Sequence, residues 1–148
     1  MPAHGIKLLD ANVWLALAFS DHAHHELAKS WFEQMPDESC AFCRVTQLAL
    51  LRHLTNSNIM GAFVQTQQQA WSTYDKMAAD ARVMFIEENP ETEMQFRSVT
   101  QRGSPSRQLW TDAYLSALAI SSGIQLVTLD KHFPTGGNLD LLILKSNN

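Results

Sequence analysis

The sequence predicts an α/β protein, an α/β/α sandwich built on a mostly parallel sheet of four or five strands. Three observations predict it. Short apolar runs that fit buried strands alternate with longer segments of helical period. Two of those runs, residues 6–9 and 124–129, lead directly into aspartates, Asp10 and Asp130. No repeat, linker or low-complexity stretch interrupts the 148 residues. They are therefore read as a single domain, residues 1–148, with enough chain for a proper core.

The elements follow in order. Residues 6–9 form the first strand, and the Ala/Leu-rich run 13–19 forms a helix, giving the first half of a βα unit. Ser20 and Asp21 turn the chain. A second helix spans 22–35, with Leu27, Ala28, Trp31 and Phe32 as its apolar stripe, and Pro36 stops it. Residues 39–44 form a short strand. Thr46 is the expected N-cap of a helix carrying Leu48, Leu51 and Leu54, which ends at 55–58. Residues 61–64 fit no one element. The segment 66–81 is helical, with Ala70, Tyr74, Met77 and Ala78 on one face. A strand at 83–86 is turned by Asn89-Pro90, and 91–100 is helix. A loop at 102–106 leads to a helix over 107–122, with Gly123 as its C-cap. A strand at 124–129, a loop at 134–138 and a last strand at 141–144 complete the chain.

Composition narrows the function. The formal net charge of −4 leaves no basic footprint of the kind a passive nucleic-acid binder carries. It leaves room for a metal-dependent nuclease, whose site is acidic. No apolar run approaches the roughly 20 residues of a membrane span, so no membrane association is expected. No secretory signal pattern stands at the N-terminus. Cys40 and Cys43 do not make a disulfide framework. A cytoplasmic protein is expected.

The chemistry concentrates in aspartates. In open α/β sheets, ligands bind beyond the carboxyl ends of the strands, where Asp10 and Asp130 fall. Asp10 has a second reading, as the cap of the helix that follows it. Asp112 lies near the start of the 107–122 helix, whose Ala113, Ala117 and Ala119 permit close packing on the sheet. Its N-terminal end then meets the same rim. Three carboxylates brought together repel unless a cation neutralises them. Mg2+, with Mn2+ as a substitute, suits carboxylate and water ligands and phosphodiester chemistry. The bland alternative is three unrelated surface aspartates. Cys40-Ala41-Phe42-Cys43 has zinc-like spacing but no second pair, and His22, His24 and His25 fit a solvated or capping cluster at a helix start. Trp14, Trp31, Trp71 and Trp110 read as core or rim aromatics. Arg44, Arg52, Arg107 and Lys131 are weak candidates for phosphate contact. There is no Gly-rich phosphate loop and no nucleophile elbow.

Four stretches resemble the motifs of PIN-domain ribonucleases, specifically the VapC-type toxins of toxin–antitoxin pairs. They are Leu8-Leu9-Asp10-Ala11-Asn12-Val13-Trp14-Leu15-Ala16-Leu17, Thr46-Gln47-Leu48 through Leu54-Thr55-Asn56, Thr111-Asp112-Ala113-Tyr114-Leu115-Ser116-Ala117-Leu118-Ala119, and Leu126-Val127-Thr128-Leu129-Asp130-Lys131-His132-Phe133. The resemblance runs nearly end to end. It implies a PIN-like fold, an acidic Mg2+ pocket and cleavage of single-stranded RNA. It carries the family's acids onto Asp10, Asp112 and Asp130, and places Asn12, Thr46, Gln47 and Thr128 beside them. Arg52 and Lys131 are weaker candidates for substrate binding. It also implies a VapB-type antitoxin partner. Leu17, Phe19, Trp31 and Phe32 are the apolar residues available for an antitoxin or homodimer surface, with core packing as the default.

One position departs from the family pattern: Gln47 stands where the second motif often supplies a Glu. The alternative reading is thus a PIN-fold binding module with weak or lost nuclease activity. A receiver domain and an aspartate-nucleophile phosphatase fit less well. The first needs a phosphoacceptor Asp on a middle strand. The second wants an acid where Asn12 stands.

Overall fold

The computed structural model describes residues 5–101, 103 and 110–146. The strands are β1 (Lys7–Leu9), β2 (Cys40–Phe42), β3 (Val83–Phe85), β4 (Gln125–Thr128) and β5 (Leu141–Ile143). The helices are α1 (Ala11–Ala18), α2 (His25–Phe32), α3 (Arg44–Leu54), α4 (Ser57–Met60), α5 (Gln67–Ala78), α6 (Thr92–Val99) and α7 (Trp110–Ser122), with a 3-10 turn at Gly61–Phe63. The five strands form one sheet in the order β3-β2-β1-β4-β5, and every pairing is parallel. The chain builds outward from β1 to β3, then returns to place β4 on the other side of β1. The order reverses between β1 and β4, and such a switch point opens a crevice at the carboxyl ends of the strands.

Alternation along the strands divides the core in two. Leu9, Phe42 and Val127 face one side, where Val13, Trp14, Leu50 and Leu54 pack on them. Leu8 and Leu126 face the other, against Leu115, Leu118, Ala119 and Phe133. Trp14 stacks on Phe42 with ring centroids 3.8 Å apart and meets Phe32 edge-on at 6.5 Å. Its indole N–H is buried with no partner among the described residues. Among the described residues, no helix is long and apolar enough to cross a membrane.

Several boundaries differ from the sequence expectations. The second helix begins at His25, because residues 22–24 form a turn: the His22 N–H reaches the Phe19 carbonyl at 3.0 Å, and His22 Nδ1 accepts from the His24 N–H at 3.0 Å. His25 Nδ1 contacts the Ala16 carbonyl at 2.7 Å, so this histidine ties α2 to α1. Helix α3 starts before Thr46. Cys43 is the N-cap and Thr46 is the third helical residue, its Oγ1 accepting from the Cys43 N–H at 2.9 Å. Thr46 thus serves the cap from inside the helix, in the manner of a capping-box side chain. Strand β4 ends at Thr128, and Asp130 lies in the turn beyond it. Asp130 Oδ1 accepts from the His132 N–H at 2.9 Å, a local bond that draws the chain out of the strand. Residues 102, 104–106 and 107–109, Arg107 among them, lie outside the described residues.

Candidate active site at the carboxyl rim

Asp10 caps α1 and is also a candidate site residue. It is the N-cap of α1, its Oδ1 accepting from the Ala11 N–H at 2.7 Å. Its backbone N–H bonds the Val127 carbonyl at 2.8 Å, locking the end of β1 to β4. Its Oδ2 accepts from the Thr128 hydroxyl at 2.8 Å. Thr128 is fully buried, and its oxygen also accepts from Asn12 Nδ2 at 3.2 Å and from the Asp130 N–H at 3.1 Å. Asn12 Oδ1 accepts from the Leu129 N–H at 3.1 Å. One hydroxyl and one amide therefore join the ends of β1 and β4, holding the Asp10 carboxylate and the Asp130 backbone.

Asp112 enters from the first turn of α7. The three carboxylates feel one another. Burial raises the Asp112 carboxyl to about 6, helped by the negative charges of Asp10 and Asp130. Asp10 is also raised, chiefly by burial and further by Asp130, against the opposing hydrogen bonds from Thr128 and the Ala11 N–H. His53 on α3 faces the same charge: burial and Arg52 lower its pKa, and Asp10 raises it. His53 was not singled out from the sequence, although it lies two helical turns beyond Thr46, where a residue of the same face falls.

The donor chemistry fits a hard divalent cation. The candidate donors are oxygens, and a cation would relieve the repulsion that raises Asp112. No group of three His, Cys, Asp or Glu side chains among the described residues is drawn close enough to hold an ion directly. An ion here would be held in part through water, a mode that suits Mg2+.

The remaining expected residues divide. Gln47 is buried in the first turns of α3, beyond the end of β2, and its Oε1 accepts from Arg44 Nη1 at 2.6 Å. Arg44, read from the sequence as a weak candidate for phosphate contact, is exposed, donates to Gln47 and lies over the Phe85 ring at 5.0 Å. Thr46 is buried in the α3 cap. Arg52 and Lys131 are exposed. Leu17, Phe19, Trp31 and Phe32 are half-buried against the core, and large exposed apolar side chains stand elsewhere, at Leu48, Phe63 and Trp71.

A parallel α/β sheet with acids gathered beyond its strand ends at the switch point defines the class: an α/β protein with a candidate acidic site at its carboxyl rim. The PIN domain family model matches residues 7–137. The chain is 39% identical over 142 residues to Ribonuclease VapC41 of Mycobacterium tuberculosis, covering 93% of this chain and 97% of that one. It is 36% identical over 123 residues to Ribonuclease VapC29 of the same organism, covering 83% and 84%. The fold is similar to that of VapBC-1 from nontypeable Haemophilus influenzae, with a TM-score of 0.65 at 17% identity over 93% of this chain and 97% of that one. The chain belongs to the PIN domain family, on its VapC branch.

Proposed function

We propose that this protein is a Mg2+-dependent endoribonuclease that cuts single-stranded RNA, and that it is the toxin of a toxin–antitoxin pair. The observation that carries the reading is the pairing of Asp10 and Asp130 through Thr128 beyond the ends of the neighbouring strands β1 and β4, with Asp112 of α7 close enough to feel both charges. Family membership supports the reaction class. Asp10, Asp112 and Asp130 would hold the cation, in part through water, and Mn2+ would replace Mg2+. A bound Mg2+ supplies neutralisation of phosphate charge and a more acidic water for hydrolysis. The chain's own residues do the positioning. The Ala11 N–H and the Thr128 hydroxyl aim the Asp10 carboxylate. Asp112 holds a proton more readily than a free aspartate until a cation arrives. Exposed Lys131, beside Asp130, and exposed Arg52 supply positive charge for the RNA backbone.

A VapB-type antitoxin is the proposed partner, supported by membership of the VapC branch and by the exposed Leu48, Phe63 and Trp71, which also suit a homodimer. No helix spans a membrane among the described residues, in keeping with action in the cytoplasm.

The test is cleavage of an unstructured oligoribonucleotide by purified protein, with Mg2+ and with EDTA. Cleavage that needs Mg2+ and is lost in Asp10→Asn and Asp130→Asn supports the reading. Binding of RNA without cleavage in Mg2+ or Mn2+ would favour the alternative of a PIN-fold binding module, with Gln47 as the cause.

A further inference from the structure

The geometry points to Arg44 as a contact for a backbone phosphate of the RNA, held ready by Gln47 and Phe85, an assignment that rests on the ribonuclease reading above. Arg44 opens α3 directly past Cys43, beyond the carboxyl end of β2. The parallel register pairs Leu8 of β1 with Ala41 of β2, and Phe42 of β2 with Phe85 of β3. Counted on from there, Asp10 falls level with Cys43, one residue before Arg44. The guanidinium lies over the Phe85 ring at 5.0 Å, and Phe85 ends β3. Strands stand about 4.8 Å apart, so this charge sits roughly 10 Å along the same rim from the line of β1 and Asp10. That separation suits a phosphate flanking the scissile one, rather than the scissile phosphate itself.

Two contacts fix the side chain. Arg44 Nη1 donates to Gln47 Oε1 at 2.6 Å, and Gln47 is buried. The Phe85 ring supports the guanidinium through a cation–π contact. The other N–H donors of Arg44 have no partner among the described residues, and the side chain stays exposed. The ion pairs among the described residues are Arg82–Asp80 and Arg97–Glu93, so no carboxylate takes up its charge, Glu87 and Glu88 just past β3 included. Arg44 is also too far from the rim acids to neutralise them, and the charges that act on Asp10 and Asp112 do not include it.

The choice of residues argues for an outside anion. A cation in the first turn of a helix opposes the helix dipole, so Arg44 does not serve α3. A guanidinium is well shaped to grip phosphate with paired N–H groups. A Glu at position 47 would hold Arg44 as firmly and cancel its charge. The neutral Gln47 carbonyl orients the guanidinium and leaves the charge whole. The chain carries a net charge of −4, and its acids gather at this rim, so backbone phosphates meet repulsion there. A fixed cation farther along the rim offsets that repulsion. Gln47 is then a positioning residue that acts through Arg44.

The experiment separates charge from shape. Binding of a labelled, unstructured oligoribonucleotide of about 12 nucleotides is followed by fluorescence anisotropy over a range of salt, in the Asp10→Asn background so that the probe stays intact. Arg44→Ala should raise Kd about 3- to 10-fold at low salt and reduce the slope of log Kd against log salt by about 0.7, the loss of one phosphate contact. Arg44→Lys should keep the slope and recover part of the affinity. Gln47→Met keeps the length of the side chain without the acceptor. It should raise Kd by a smaller factor, and change nothing further in the Arg44→Ala background. In the active protein, Arg44→Ala should raise KM by a factor similar to that in Kd and change kcat by less than about threefold. Thermal melts check that each variant folds. If wild-type protein cleaves RNA and Arg44→Ala matches it in Kd, salt slope and KM, the phosphate contact does not exist, while the nuclease reading stands. If Arg44→Ala weakens only antitoxin binding, the guanidinium belongs to a protein interface and the assignment is overturned. If the wild-type protein neither binds nor cuts RNA, the ribonuclease reading falls and this assignment falls with it.

Discussion

The Thr128 hydroxyl has one proton to give. It goes to Asp10 Oδ2 at 2.8 Å, while the same oxygen accepts from Asn12 and from the Asp130 N–H. Thr128→Val keeps the shape of the side chain and removes all three bonds. Loss of such a supporting contact typically costs 10- to 100-fold in cation affinity. We expect a folded variant with activity lowered by about that factor at limiting Mg2+, measured by titrating Mg2+ in the cleavage assay. Asp112 makes a different prediction. Its folded pKa of about 6 lies above the 3.8 of an ordinary aspartate, because burial and two like charges disfavour the ionised form. Between those values the native state binds more protons than the unfolded state, so stability without a cation falls as pH rises through that window. Asp112→Asn should therefore abolish cleavage, raise the cation-free Tm at pH 7, and flatten the dependence of Tm on pH between about 4 and 6. Unfolding scans in EDTA across that range check it; a cation-free Tm lowered at pH 7 would contradict it. Gln47 is a third case. The sequence marks it as a missing carboxylate. The structure adds Arg44, whose guanidinium would meet a Glu at this position and offset its charge. Gln47→Glu should then tighten Mn2+ binding only modestly, and more strongly when combined with Arg44→Ala. The three aspartates were legible in the sequence because each ends or opens a patterned element. The Gln47–Arg44 contact was not, because its partners declare themselves only once the start of α3 is fixed.

Helix α7 ends where the sequence says it should. Gly123 follows it at φ +67°, and a Cβ there would meet no atom within 4 Å. The cost of an alanine is thus conformational alone, roughly 1–2 kcal/mol for a left-handed residue. Gly123→Ala should lower Tm by a few degrees with no change in cation affinity, read by calorimetry. Strong punctuation of this kind made α5 and α7 legible. Thr66 caps α5, and Gln69 closes its capping box. The strands were legible as apolar runs, but their ends were not. Predicted spans of four to six residues became three or four, because capping and turn bonds drew the flanking residues into neighbouring elements. Cys43 became a cap and Asp130 a turn residue in this way. The short α4 and the 3-10 turn after it have too few residues to show a period, so residues 57–63 carried no clear signal.

At the scale of the whole molecule, the reversal of strand order between β1 and β4 brings separate sequence motifs to one rim, the candidate site. Asp10 and Asp130 are distant in the chain and lie beyond the ends of the neighbouring strands β1 and β4, and α7 brings Asp112 to the same rim. The sequence could place each acid at the end of an element; only the topology shows that the two strands are neighbours. The site so formed is unfavourable by itself, since burial and mutual repulsion raise Asp10 and Asp112. That instability is the physical basis for expecting a cation. It also predicts that Mg2+ raises the Tm of the wild-type protein more at pH 7 than at pH 5, where protons compete for Asp112. The most direct measurement is a Mn2+ titration followed by electron paramagnetic resonance, in which bound Mn2+ loses the sharp signal of the free ion. Wild-type protein and Gln47→Ala should bind Mn2+ with similar affinity, and Asp10→Asn and Asp112→Asn should each bind at least about tenfold more weakly. Binding by wild type that survives both aspartate substitutions unchanged would contradict the account.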